Sequence, residues 1–314
     1  MYIKKQKKLL IAIIVILIVA LAIRLIYKNK NPFPPQINSS IQINPNIFES
    51  GKKIAKINTN IFKEASGLVM SRNNPNFFWT HNDSGGKPEI YLFDKKGEHW
   101  ATYTIPVKLR DWEEIKITQQ DGKNYIYVAD IGDNFGKYHI KKIYKFLEPS
   151  LKDIQKGYKS NVENIETFQF QYPNNEKRDS EAFLIDNLTQ DIYIITKREK
   201  PKVKVFRWKF PQSKNKVEIL DFVTDIPCFK VTSADISTDG KEIIIKDYDN
   251  VYYWKRENNE NLSEVFKKPP IRLPYISEPQ GEGLAIDVNN QGYYTLSESQ
   301  KPKNEQYLIF YKRK

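Results

Sequence analysis

The sequence contains one cysteine, Cys228, and three histidines among 314 residues. A single cysteine excludes an internal disulfide and any cysteine-based zinc site. No cysteine stands directly after the N-terminal apolar run, so lipoprotein anchoring is excluded too. In the run Ile226-Pro227-Cys228-Phe229 the thiol reads as a small buried apolar group, because reactivity needs nearby charge that lowers the thiol pKa. Sustained helical periodicity is missing after the first 30 residues, and so is any second apolar run long enough to span a bilayer. RNA-binding signatures and basic helices are missing as well. The net charge of +12 does not argue for nucleic acid: Lys4, Lys5, Lys7, Lys8, Arg24, Lys28 and Lys30 supply seven of those charges in a stretch without an acid. The +5 left is spread over Lys alternating with Glu and Asp, as in residues 197–204. A nucleic-acid partner is not expected.

What is present begins with an address. Residues 9–23 are apolar without interruption, and 25–27 extend the run past Arg24 to about the length that crosses a bilayer core. Ala20-Leu21-Ala22 offers a cleavage site that would give a secreted protein, whereas the missing polar stretch before it favours an uncleaved signal anchor. Residues 1–28 are therefore expected to form a transmembrane helix. The longer lysine cluster precedes the run, which places the following domain on the extracytoplasmic side. Residues 29–50 are rich in Pro, Asn and Ser and read as a linker, with the folded domain over 51–314.

From Glu64 onward one unit recurs roughly every 45 to 65 residues, the spacing of an array. The first strands are SGLVMS from Ser66, DWEEIKI from Asp111, SEAFLID from Ser180, SADIS from Ser233 and GEGLAID from Gly281. Second strands start at Phe77, Tyr125, Asp191, Glu242 and Gly292, and third strands at Ile90, Ile143, Val205, Val251 and Leu308. These runs are short, rich in Ile, Val, Tyr and Phe, and bounded by turns such as Asp121-Gly122 and Asp239-Gly240. Many are apolar on successive residues, so both sheet faces are covered, as when blades pack around an axis. HWATYTI, IETFQFQY, VEILDFV and IRLPYI read as fourth strands of units one to four. Unit five lacks one. The run KKIAKIN, ahead of the first unit, is expected to pair beside Leu308–Tyr311 and so close the ring. The fold class is all-β, a five-bladed β-propeller, with six blades as the alternative.

The segments EASGL, HNDSG, DWEEI, DIGDN, EAF, SADISTDG and GEGLAI resemble a family of uncharacterised exported bacterial propeller proteins, similar at a distance to the strictosidine-synthase-like and gluconolactonase-like propellers. The resemblance spans about residues 53–314. It implies the fold and, as a type of site only, an ion held at the channel mouth by acids and amides from several blades.

In a propeller the innermost strand starts at the face where the second strand ends, so those positions converge on one mouth. Strand starts contribute Glu64, Asp111, Glu113, Glu181, Asp235 and Glu282; strand ends contribute Asp83, Asp130, Asp133, Lys197, Lys246 and Glu298. Carboxylates so placed repel unless a cation, a basic side chain or proton uptake compensates. The expected metal set is Glu113, Glu181, Glu282, Asp83 and Asp130, holding calcium or else magnesium, since zinc prefers the His and Cys the mouth largely lacks. Lys197, Arg198, Lys246, Asp133 and Glu298 are the candidate ligand-binding groups, giving the mouth both charge signs. His81 is the candidate general base, although a lone loop histidine is ordinarily just solvated. HNDSG and DIGDN are also good turn sequences. Ser84 has no nucleophile-elbow context. The expected function is a membrane-anchored extracytoplasmic propeller binding a divalent cation and a small polar ligand or an envelope protein. The alternative is a metal-dependent hydrolase of an ester, lactone or phosphoester, and an envelope scaffold is a third class.

Overall fold

The computed structural model describes residues 41–57, 60–83, 86–152, 155–299 and 305–314. The expected anchor at 1–28, the first part of the expected linker and Ser84 lie outside the described residues. No helix among the described residues is long and apolar enough to cross a membrane.

Strand β1 (Lys52–Lys56) precedes five sheets that repeat one meander. The first blade contains β2 (Ala65–Met70), β3 (Phe77–Asn82), β4 (Glu89–Asp94) and β5 (His99–Thr104). In the second are β6 (Trp112–Gln120), β7 (Lys123–Asp130), β8 (Ile140–Leu147) and β10 (Glu166–Gln171). The third has β11 (Ser180–Ile185), β12 (Ile192–Thr196), β13 (Val203–Trp208) and β15 (Asp221–Ile226). The fourth consists of β16 (Val231–Ile236), β17 (Glu242–Asp247), β18 (Val251–Lys255) and β19 (Ile271–Leu273). The fifth joins β20 (Gly281–Ile286), β21 (Gly292–Ser297) and β22 (Tyr307–Lys312) to β1, which pairs antiparallel with β22 in the register Lys53↔Ile309 and Ala55↔Leu308. KKIAKIN is thus the missing strand of the last blade, and the fold is a five-bladed β-propeller.

The innermost strands β2, β6, β11, β16 and β20 contact one another in a ring. Five apolar clusters lie one between each pair of adjacent blades, as around Trp79 and Trp112 between the first two. Each sheet is therefore covered on both faces, which is why its strands carry unbroken apolar runs. The axis itself is filled. The Lys116 ammonium lies 3.2 Å from Glu114 Oε1 and donates to the carbonyls of Leu68 at 3.3 Å and Leu284 at 3.1 Å. Glu114 Oε2 accepts from the Ser233 hydroxyl, and Asp235, expected at the mouth, instead accepts from the Ile286 amide at 2.8 Å deep inside.

Two strands depart from the reading of the sequence. VEILDFV is split: β14 (Val217–Ile219) adds in parallel to β10 of the second blade, and only β15 serves the third. Strand β9 (Tyr158–Asn161) adds in parallel to β5. The folded unit also begins earlier than residue 51. Ile43 bridges to Arg272, Phe48 bridges to Arg313, and the Phe48 ring, 1 % exposed, sits 5.1 Å edge-on from Tyr293.

Candidate functional site

Each innermost strand slips register at the same place against its neighbour, between Ser66/Leu68, Trp112/Glu114, Ser180/Ala182, Val231/Ser233 and Gly281/Gly283. A bulge leaves one residue outside the ladder and re-aims its side chain. The bulged residues are Gly67, Glu113, Glu181, Thr232 and Glu282. The three glutamates therefore hold equivalent positions, as their place in the repeats predicted. Just beyond the paired ends of the second strands stand Asp83, Lys197, Tyr248 and Glu298.

These groups meet in two halves. In one, Lys197 forms an ion pair with Glu181 and donates to the Tyr248 hydroxyl at 3.2 Å. Tyr248 in turn donates to Glu282 Oε1 at 2.7 Å, where Gln280 Nε2 also donates at 3.3 Å, and Glu298 hydrogen-bonds Glu282. The relay crosses blades three, four and five. In the other half, carboxylate oxygens of Asp83, Asp111 and Glu113 lie within 4.8 Å of one another, a group that could hold a metal ion.

Burial controls the charge of this mouth. It pushes Glu113 well above the ordinary carboxylate range, and the neighbouring Glu181, Asp83 and Asp111 add to the effect. Burial raises Glu181 likewise; Lys197 offsets part of this, while Glu282 and Asp179 reinforce it. Glu298 is pushed up to about 10, first by burial and then by Glu282. For Lys197 burial acts downward, but Glu181 and Glu282 prevail and hold it raised and charged.

Gly132 sits against the second half. A Cβ there would overlap Glu113 Oε1 and come within 2.5 Å of Asp111 Oδ2.

Several residues named from the sequence lie elsewhere. Asp130 lies 3.0 Å from Arg110 Nε and accepts from Tyr144 at 3.4 Å, and Asp111 joins Asp83 and Glu113 where Asp130 was expected. Asp133 is the staple of its own loop: it accepts from the amides of Lys137 and Tyr138 and lies 3.0 Å from the Lys141 ammonium. Arg198 is held by Asp179 and Asn134. Lys246 is fully buried, and burial lowers its pKa; it donates to the carbonyls of Gly281 and Asp247 and packs over the Tyr275 ring. His81 is no loop residue. It lies in β3, fully buried, with Nδ1 3.1 Å from the Asn82 carbonyl and its pKa pushed down to about 4 by burial, so it is neutral and out of reach of solvent. Tyr248 and Gln280 were missed in the sequence. Tyr248 carries a signal in hindsight, since it follows its second strand just as Lys197 and Glu298 follow theirs.

No family model and no curated protein matches the sequence. Among solved structures, the PQQ-bound aldose sugar dehydrogenase of Streptomyces coelicolor superposes with a TM-score of 0.51 at 8% identity, covering 84% of this chain and 98% of that one. The likeness is one of fold. An auxiliary nutrient binding protein from Bacteroides thetaiotaomicron gives a TM-score of 0.46 at 9% identity over 83% of this chain and 76% of that one, too low to carry an argument. At such identities a shared fold leaves the activity to be read from this chain's own mouth.

Proposed function

We propose that the protein is a binding propeller that holds a divalent cation at Asp83, Asp111 and Glu113 and a polar ligand beside it. The observation that carries this reading is the approach of those carboxylate oxygens to within 4.8 Å. Burial and the neighbouring acids favour the protonated form of Glu113, and a cation between the three groups would favour the ionised form that binds it. An all-oxygen donor set suits calcium or magnesium. The second half of the mouth offers a ligand both signs of charge: the Lys197 ammonium, the Tyr248 hydroxyl and the carboxyl groups of Glu282 and Glu298.

Metal analysis of the full chain purified without chelator tests the first part, with about one equivalent of calcium or magnesium expected for a single site. Glu113→Gln should empty it. A metal-free wild-type protein that takes up neither ion on dialysis would contradict the reading.

The second reading, metal-dependent hydrolysis of an ester, lactone or phosphoester, is favoured by Glu298. Its pKa of about 10 keeps a proton donor beside the mouth at neutral pH. Turnover lost in Glu298→Gln with cation binding retained would support hydrolysis over binding alone. We further propose that residues 1–28 anchor the chain in a membrane with the propeller on the extracytoplasmic side, on the strength of the apolar run and the lysines before it. Protease protection of the propeller in cells stripped of wall and outer membrane, with the cytoplasmic membrane intact, would contradict that orientation.

A further inference from the structure

The loop after β7, residues 131–139, contains two glycines of opposite kind. Gly136 has a φ of +60°, and a Cβ on it would meet nothing within 4 Å; it is a turn glycine. Gly132 is not among the residues with positive φ, so the turn alone would accept any small side chain there. Space is what demands glycine at 132: its missing Cβ is the room occupied by Glu113 Oε1 and the Asp111 carboxyl group. The Gly132 amide also donates to the Asp111 carbonyl at 3.2 Å, which ties the loop to the strand start that carries both acids.

We infer that Gly132 and Asp133 build the cation site without ligating it: Gly132 supplies the bare backbone against which Asp111 and Glu113 close, and Asp133 locks that backbone in place. This rests on the cation reading of the mouth. Asp133 is spent on holding the loop, because its carboxylate accepts from Lys137 N at 2.6 Å and Tyr138 N at 2.9 Å and pairs with Lys141 at 3.0 Å. Its own amide donates to Asp179 at 2.8 Å, and Asp179 is fixed by Arg198, which also reaches Asn134. Gly132 is therefore clamped between its own blade and the next. A Cβ at 132 cannot be relieved by a loop shift without breaking this clamp, so the Glu113 carboxylate must retreat instead. Asp133 and Gly132 are positioning residues, and the DIGDN motif acts as the frame of the site.

Terbium(III) binding to the full chain, read by emission sensitised through Trp112, tests this with a probe that prefers oxygen ligands. Gly132→Ala should weaken terbium by about tenfold or more, the scale on which groups behind metal ligands act. Its melting temperature in EDTA should stay near that of the wild type. Glu113→Asp in the Gly132→Ala background withdraws the carboxylate by one methylene and should restore part of the affinity, although Glu113→Asp alone should weaken it. Asp133→Asn, which loosens the clamp while leaving Gly132 bare, should also weaken terbium and keeps the test decisive if Gly132→Ala does not fold. Unchanged affinity in Gly132→Ala, or in Asp133→Asn should the first variant not fold, overturns the inference and leaves the cation site standing. Absence of sensitised emission from the wild-type chain overturns the cation reading itself.

Discussion

At Glu298 burial and the neighbouring Glu282 act in the same direction, and both favour the protonated carboxyl. Glu113 and Glu181 follow the same rule, with burial first and neighbouring acids second. A carboxyl group whose pKa is raised on folding contributes stability that is present below its unfolded value of about 4.5 and is lost as pH rises through the folded value, for Glu298 about 10. The cation-free protein is therefore expected to melt at a higher temperature near pH 6 than near pH 8.5. A bound cation requires the ionised acids, so the melting-temperature gain from calcium should be larger at the higher pH. A gain independent of pH would contradict the assignment of the protons to the mouth. Lys197→Met takes away the ammonium that offsets Glu181, and breaking a buried pair from one side costs about 3–5 kcal/mol when the other charge stays ionised. Because Glu181 can take up a proton instead, urea unfolding should show a loss that is small in mild acid and grows with pH.

At the scale of the strand, what was legible depended on what holds each element. The inner, second and third strands are visible because burial on both faces forces β-branched and aromatic runs. The closing strand β1 was visible through a deficit, a fifth unit with no fourth strand. Strands β9 and β14 were not, since Tyr158–Asn161 and Val217–Ile219 are short, contain no fully buried residue and are held by parallel pairing to strands far away in sequence. The equivalence of Glu113, Glu181 and Glu282 could be read from the repeats, but the bulge that turns them to the mouth could not. The same bulge explains why Asp130 fell away: it pairs opposite Trp112, one position before the slip, where Arg110 takes its carboxylate. The burial of Phe48 was likewise hidden in a segment whose composition is that of a linker. Phe48→Ala is expected to cost about 3 kcal/mol or more, the range for a fully buried phenylalanine. Deleting residues 52–56 should lower the melting temperature further, because it opens the ring and exposes the edge of β22. Equal stability of the deletion and the full chain would contradict ring closure by β1.

Over the whole molecule, the ring of inner strands encloses an axis filled by Glu114, Lys116 and Asp235. These buried groups occupy the space between the inner strands, and the mouth lies at the strand starts beyond them. There the charges are unevenly distributed: Lys197 neutralises the side built by blades three to five, and the acids Asp83, Asp111 and Glu113 gather where blades one and two meet. If this second side takes up a divalent cation, calcium or magnesium should stabilise the full chain against thermal unfolding. A ligand that binds only the folded state at 100 times its dissociation constant adds about 2.7 kcal/mol, which raises the melting temperature of a domain this size by several degrees. Such a rise is expected with calcium or magnesium, together with its reversal by EDTA and its loss in Glu113→Gln. A wild-type melting curve that neither ion moves would contradict it.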